Sequence, residues 1–565
     1  MQKNCKNCKK DFEIRDEDQT FYEQVHSPLP EYCPDCRMAR RLSFRNERTF
    51  YRRPCDLCKK DGISLYPVGT TFPTYCHSCW WSDGWDPKSY AMEYDASRPF
   101  MEQFGELLSR VSRIKLNIVG TNVRSDYTNN SGDNKDCYLI FAAENNEDCM
   151  YGRLVQHCKG CVDCAFIYDS EKCYECIDGR KLYNCMFAEQ CQSSTDLLFC
   201  IDCRDSSSAI FCTNGRHLSY SIENQPYTKE EFEKKKAEIF SSRESLEEAK
   251  KKFETMKANS IVKYAVQTKC HDVTGNYIFN CYEGVRVFDT SNAKNCSYIA
   301  DTEDPIDCMD CNNSYYKPER CYDLMGILQC NRAKHCTYVF YCTDIEYSDS
   351  CYNSQDIFGC VGIRKGDHMI LNKQHPKESF DKLMAEIIES MKKDGTYGQM
   401  ISSIVSPVGY NETLAQEYFP MTREEALAKG FRWQDETTGT YKKETIKKGE
   451  VPSSIKDVDE NILNEVLVCE TCEKNFKIVK SELDFYKRMG IPLPTKDFEC
   501  RHKTRMSKRA PRKLWHRSCA CNIERHGHGS PRQGGASCPN EFETAYSPDR
   551  PEQVYCETCY QQEVS

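Results

Sequence analysis

Sixteen of the chain's 39 cysteines lie in residues 1–79 and 469–559, most of them at the spacing that grips a tetrahedral metal ion. Cys5-x2-Cys8 and Cys33-x2-Cys36 are followed by Cys55-x2-Cys58 and Cys76-x2-Cys79. A C-x2-C knuckle lets two thiolates and nearby N–H groups wrap one side of a zinc ion, and a second knuckle after a hairpin closes the other. Four thiolates leave no position for a reacting water, so such sites fold a domain and do no chemistry. In a reducing compartment, cysteines are metal ligands or small buried residues far more often than disulfides.

The C-terminal end repeats the pattern. "CKNCKKDFEIRDEDQTFYEQVHSPLP" from Cys5 and "CETCEKNFKIVKSELDFYKRMGIPLP" from Cys469 align without a gap. Continuing the alignment, Cys36 matches Cys500 and Cys55 matches Cys519, while Cys33 becomes Asp497 and Cys58 becomes Asn522. The third site is then Cys469, Cys472 and Cys500, with Asp497 or His502 as its fourth ligand. The fourth is Cys519, Cys556 and Cys559, with Cys521 or Cys538. Two to four structural Zn2+ ions are expected.

Between the knuckles lies a concentration of positive charge. Arg37, Arg40, Arg41, Arg45, Arg48, Arg52 and Arg53 share their segment with one acid, in a chain of formal net charge −9. The matching stretch carries Arg501, Lys503, Arg505, Lys508, Arg509, Arg512 and Lys513 and no acid. Helical spacing puts the arginines roughly on one face and turns Met38 and Leu42 inward. Guanidinium forks suit phosphate oxygens, and Phe44, Phe50, Tyr51 and Trp515 are placed either to stack on bases or to fill a core. The expectation is contact with RNA or DNA, the ribosome included. The alternative is docking on the protein's own acidic middle, where residues 131–226 hold fifteen acids and eight bases, or on a partner protein.

The other 23 cysteines lie between Cys137 and Cys360 and follow a different rule. Cys137, Cys149, Cys161, Cys173 and Cys185 step by twelve, and neighbouring columns are apolar. Fixed-length repeats with apolar columns and Asn, Asp, Ser and Gly turns predict a parallel β-solenoid of the β-helix kind, with one or two repeats to a coil. A looser copy runs through Cys281, Cys296, Cys308, Cys321, Cys336 and Cys351. Each copy ends in a helical tail: a Thr228–Glu231 capping box opens one, and Phe380, Leu383, Ile387 and Met391 stripe the other. "CKGCVDC", at Cys158–Cys164, fits the solenoid register but also raises a rival reading, a thiol-redox or metal-cluster protein.

The fold class expected is mainly β: zinc ribbons at both ends flank two parallel β-solenoids with short capping α-helices. The organisation predicted is two ribbons with the basic segment (1–90), a helix and connector (91–130), the first solenoid (131–226) and a helical connector (227–262). The second solenoid (263–376), a helix (377–395), a short helix and linker (396–464) and the C-terminal ribbons (465–565) follow. No run approaches the ~20 apolar residues of a membrane helix, and "MQKNCKNCKKDF" lacks the apolar core of a signal peptide. With no Gly-x-Ser-x-Gly and no phosphate-cradling glycine loop, the sequence reads as a cytoplasmic, non-enzymatic scaffold without a small-molecule substrate or membrane partner.

The shared C-x2-C-x3-F…FY…P-x-P, "CPDCR", "YCHSCWWSDGWDP", "YNETLAQEYFP" and "DRPEQVYCETCY" resemble a family of uncharacterised bacterial multi-zinc-ribbon proteins over nearly the whole chain. The resemblance implies zinc binding and brings no reaction with it.

Overall fold

The computed structural model describes residues 1–292, 342–435, 438–521 and 538–564, with residues 297–298, 309, 311–312, 327–328 and 339–340 in between. The repeat positions Cys296, Cys308, Cys321 and Cys336 lie outside the described residues. The fold is strand-rich with interspersed helices, and it packs as two units assembled from separate stretches of chain. One comprises residues 1–116, 265–436 and 512–514; the other comprises 117–264, 437–511 and 515–565. The N-terminal cysteine pairs therefore share a unit with the second repeat region, and the C-terminal pairs share one with the first.

An eleven-stranded sheet dominates the second of these units, parallel except for its final pairing, Ser219–Ile222 with Gln225–Pro226. Its register is set by the twelve-residue repeat. Tyr138, Met150, Val162, Tyr174 and Met186 form one parallel ladder, and Lys135, Glu147, Lys159 and Glu171 form another. Phe141 pairs with Arg153, which pairs with Ala165. Each twelve-residue repeat is thus a single lap of chain with several short pairing edges.

The corner between edges has a sharp signature. Every third residue from Asn130 to Glu223 lies at positive φ, including Leu139 (51°) and Phe166 (54°). Bulky residues avoid this region, so it is held here by the ladder pairing on either side. With a corner every three residues, twelve residues make four sides, and one residue in three faces inward. The buried cluster obeys this rule: Cys137, Ile140 and Ala143, then Cys149, Val155, Cys158, Cys161, Cys164 and Ile167. "CKGCVDC" is three successive inward positions.

Cysteine suits the narrow interior because it is small and can donate to the inward carbonyls. Cys137, Cys161 and Cys164 donate to the carbonyls of Lys135, Lys159 and Val162 at 3.3, 3.7 and 3.4 Å. Asn and Ser fill equivalent positions: Asn146 Oδ1 accepts from the Cys158 N–H at 2.9 Å, and Ser170 Oγ from the Leu182 N–H at 3.0 Å. Burial pushes the thiols of Cys185, Cys191 and Cys200 well above the ordinary range, which makes them poor nucleophiles.

An aromatic surface of this stack, running from Tyr174 through Phe187 to Phe199, is covered within the unit. Phe485 and Tyr486, from helix Lys480–Met489, meet Tyr174, and Phe253, from helix Arg243–Ala258, meets Phe199. Another side is solvated and self-neutralising, with Lys135 and Lys159 bracketing Glu147 at 2.6 and 3.1 Å. Part of the stretch 396–464, expected as a short helix and linker, is packed. Thr445 donates its N–H to the Val466 carbonyl at 2.8 Å, and Val451, Ile455 and Val458 are buried.

In the other unit, Thr343–Glu346, Gln355–Phe358 and Asp367–Ile370 repeat the twelve-residue parallel step before an antiparallel turn to Lys373–Gln374. Strands His271–Phe279 and Tyr282–Ser291 change from an eleven- to a twelve-residue step at a bulge between Val273 and Gly275. Gly275, at φ 139°, has no room for a side chain: a Cβ there would sit 1.8 Å from the Val287 carbonyl oxygen. The tails are helical, Lys229–Ile239 behind its Thr228 capping box and Lys377–Asp394 up to Gly395.

Candidate metal centres and the arginine helices

The first three cysteine clusters are built alike: a short hairpin carries the first knuckle and a helix N-terminus carries the second pair of ligands. In the fourth, Cys519 and Cys538 flank two paired strands and Cys556 precedes the last helix. Strands Gln2–Asn4 and Asp11–Glu13 pair around Cys5 and Cys8, and Cys33 is the N-cap of helix Pro34–Leu42, with Cys36 in its first turn. Strands Tyr51–Pro54 and Asp61–Ser64 hold Cys55 and Cys58, and Cys76 caps His77–Trp80. Lys9 and Lys59, each just past its knuckle, turn the chain at φ 61° and 63°. Trp515–Ser518 and Glu541–Thr544 form the matching hairpin at the C-terminal end. The last strand of each end joins a strand elsewhere in its own unit: Tyr75 pairs with Ile114, and Tyr555 with Lys263.

Ligand atoms converge in Cys5/Cys8/Cys33/Cys36, Cys55/Cys58/Cys76/Cys79, Cys469/Cys472/Asp497/Cys500 and Cys519/Cys538/Cys556/Cys559, each set within 4.8 Å. A Zn–S bond of about 2.3 Å in a tetrahedron puts sulfurs roughly 3.8 Å apart. The sulfurs of Cys8 and Cys33 are 3.7 Å apart, those of Cys58 and Cys76 3.8 Å, and those of Cys538 and Cys556 3.9 Å. These groups can hold metal ions.

The surroundings favour thiolate at some of these sulfurs, Cys5, Cys55 and Cys76 among them, and oppose it at others: burial holds the Cys519 thiol up at about 11. The N–H of Cys33 points at Cys5 Sγ at 3.2 Å, that of Cys76 at Cys55 Sγ at 3.3 Å, and that of Cys556 at Cys519 Sγ at 3.2 Å. Burial opposes ionisation of Cys5, yet the N–H groups of Cys33, Cys8 and Asn7 pull its thiol down to about 7. Cys76, opposed by burial in the same way and aided by the Ser78 hydroxyl, comes down to about 6.

Where the sequence leaves two choices, the geometry makes one. Asp497, not His502, joins the third cluster, and Cys538, not Cys521, joins the fourth. His502 and Cys521 are both buried, and Cys521 packs against the fourth cluster. Asp497 Oδ1 accepts the Cys500 N–H at 3.0 Å as helix N-cap, while the Cys472 thiol donates to Oδ2 at 2.8 Å. Among the described residues no three central cysteines converge in this way.

The basic segments do not present the open face expected for a polyanion. Arg37, Arg41, Arg45, Arg53, Arg501, Arg505, Arg509 and Arg512 are all buried. In helix Phe498–Lys508, Arg501 Nε and Arg505 Nη1 converge on the carboxylate of Asp163 at 3.0 and 2.7 Å. Arg501 also lies over the Tyr151 ring and reaches Glu482 at 3.4 Å, and the Tyr151 hydroxyl donates to Glu482 at 2.7 Å. Arg509 pairs with Asp178 at 2.7 Å over the Phe166 ring, and Lys508 with Glu254 at 3.0 Å.

The N-terminal helix repeats the arrangement in its own unit. Arg37 lies over the Tyr298 ring, whose hydroxyl donates to Asp18 at 3.2 Å, and Arg41 Nε donates to Asn312 Oδ1 at 2.7 Å. Arg45 pairs with Glu47 and Arg48 with Glu417, each at 2.7 Å; Arg53 pairs with Asp56 at 2.8 Å. Arg512 meets Asp289 at 2.8 Å. Met38 and Leu42 do turn inward, onto Tyr410 and Leu414. Of the basic residues singled out, Arg52, Lys503 and Lys513 are exposed, and Arg40 lies half-buried over the Tyr32 ring.

The carboxylates that receive these arginines escaped the reading of the motifs. One signal was present: Asp18 and Glu482 occupy the same place in the aligned ribbons, as Cys5 and Cys469 do. No protein-family model matches the chain, and no curated protein matches it. Among the described residues no helix is long and apolar enough to cross a membrane.

Proposed function

We propose that the chain is a non-enzymatic scaffold in which structural zinc ions hold ribbons against two β-solenoids. The observation that carries this reading is the paired network of Arg501, Tyr151 and Glu482 in one unit and Arg37, Tyr298 and Asp18 in the other. The same aligned positions put a guanidinium over a tyrosine whose hydroxyl meets a carboxylate. Zinc suits the clusters because thiolate-rich tetrahedra at these separations are its structural coordination. The ions of the first and third sites fix the starts of the two arginine helices, Pro34–Leu42 and Phe498–Lys508, and each helix fastens its ribbon to its stack.

On this reading the arginines act internally, and one surface open to a partner among the described residues is the solvated stack side with its alternating charges, which suits a protein more than a nucleic acid. The test is metal analysis of the full chain together with hydrogen exchange. Four zinc ions per chain are expected, and Arg501→Gln with Arg505→Gln should open residues 498–511 to exchange while all four ions remain. A chain that holds no zinc, or an arginine variant as protected as the parent, contradicts the reading.

A further inference from the structure

The third cluster differs from the others in a way that bears on metal release. Its fourth ligand is a carboxylate, harder than thiolate and a poorer match for zinc in a sulfur-rich site. One of its two oxygens is already committed, since Oδ1 receives the Cys500 N–H as the helix cap. Only Oδ2 faces the cluster, beside the Cys472 sulfur. Cys472 is exposed to solvent, as Cys8 and Cys58 are in the first two sites, so a competing ligand can approach all three and the carboxylate is what sets this one apart.

The N-cap also changes what happens without an ion. Aspartate is among the best N-caps, and its charge is favoured at a helix N-terminus. Cys33, the equivalent residue of the first site, makes no side-chain cap hydrogen bond. Emptying that site leaves a helix start without a side-chain cap, though Asp35 still meets Arg286 at 2.6 Å; emptying the third leaves one still capped by Asp497. The helix is also pinned further along, where Arg501 and Arg505 share Asp163, a carboxylate with 0% exposure.

Resting on the zinc-scaffold reading above, we infer that Cys469, Cys472, Asp497 and Cys500 form a reversible zinc-exchange site. It gives up its ion to a competing chelator before the three all-thiolate sites do, and helix 498–508 stays docked when it empties. The other three ions are structural; this one follows the zinc available in solution.

The experiment uses the full-length, zinc-loaded protein challenged with a chelator that reports free zinc by colour, with hydrogen exchange followed in parallel. One ion per chain should leave in a separate fast phase, more than about tenfold ahead of the other three. Residues 498–508 should keep their protection through that phase, and added zinc should restore the fourth ion. Asp497→Cys should merge the fast phase with the slow ones. Asp497→Asn, which keeps a capping oxygen, should hold three ions with the helix still protected. Release of all four ions together, a fast phase that survives Asp497→Cys, or helix protection lost with the first ion overturns the inference. A protein that takes up only three ions from excess zinc overturns it too, yet leaves the scaffold reading standing. Failure of the all-thiolate sites to bind would instead remove the scaffold reading itself.

Discussion

Replacing Asp163 with asparagine should cost more stability than any exposed acid of the same stack. The carboxylate has 0% exposure and receives Arg501 and Arg505 at 3.0 and 2.7 Å. Glu482 reaches Arg501 only at 3.4 Å, and Glu175 reaches Arg505 only at 3.7 Å. Removing one partner of a buried pair leaves an uncompensated charge and costs about 3–5 kcal/mol. Asp169, an exposed acid facing His157 at 3.7 Å, provides the control, and its loss should cost well under about 1 kcal/mol. Native-state hydrogen exchange on the zinc-loaded chain is the right assay, because a two-unit protein need not unfold in one step. Asp163→Asn should weaken protection at 150–180 and 498–508 together. If it behaves like Asp169→Asn, the arginine helix is not held by its stack.

Other substitutions probe the stack interior. Cys161→Ala should cost about 1 kcal/mol or more through a small cavity and a lost donor to the Lys159 carbonyl. Cys161→Ser keeps a donor and should cost less, which thermal or denaturant unfolding of the two variants will rank. Gly275→Ala should destabilise its unit by at least about 1–3 kcal/mol, since the new Cβ meets the Val287 carbonyl at an unfavourable φ. Hydrogen exchange at strands 271–279 and 282–291 would show it. An undisturbed Gly275→Ala variant would mean that the bulge is not fixed as described.

The cysteine clusters were legible because most of their ligands are local: a knuckle, a hairpin, a capped helix. Even the departure at Asp497 could be read from the gap-free alignment, although choosing it over His502 needed three dimensions. The twelve-residue step was equally plain. The four corners per lap were not, because they place residues such as Leu139 and Phe166 at a φ that side chains of their size avoid. No local propensity announces such a corner; pairing with the laps above and below imposes it. The partners of the arginines were hidden for another reason. Arg501 and Asp163 are 338 residues apart, and the C-terminal ribbons pack with the first repeat region, not the second that precedes them. Charge composition showed a basic end and an acidic middle, but a polyanion and an acidic stack satisfy that pattern equally well.

The distinction between those two partners is open to one direct measurement. The zinc-loaded full-length protein is titrated into labelled single-stranded RNA and double-stranded DNA over a range of salt. Binding through the arginine segments would release counterions from the phosphates and weaken steeply as salt rises. Because the guanidinium groups are buried on their own units, the account predicts little binding and no steep salt slope for either nucleic acid. It also predicts no change when Arg37 and Arg41, or Arg501 and Arg505, become glutamine. Tight, salt-sensitive binding that these substitutions abolish, with zinc content unchanged, would contradict it.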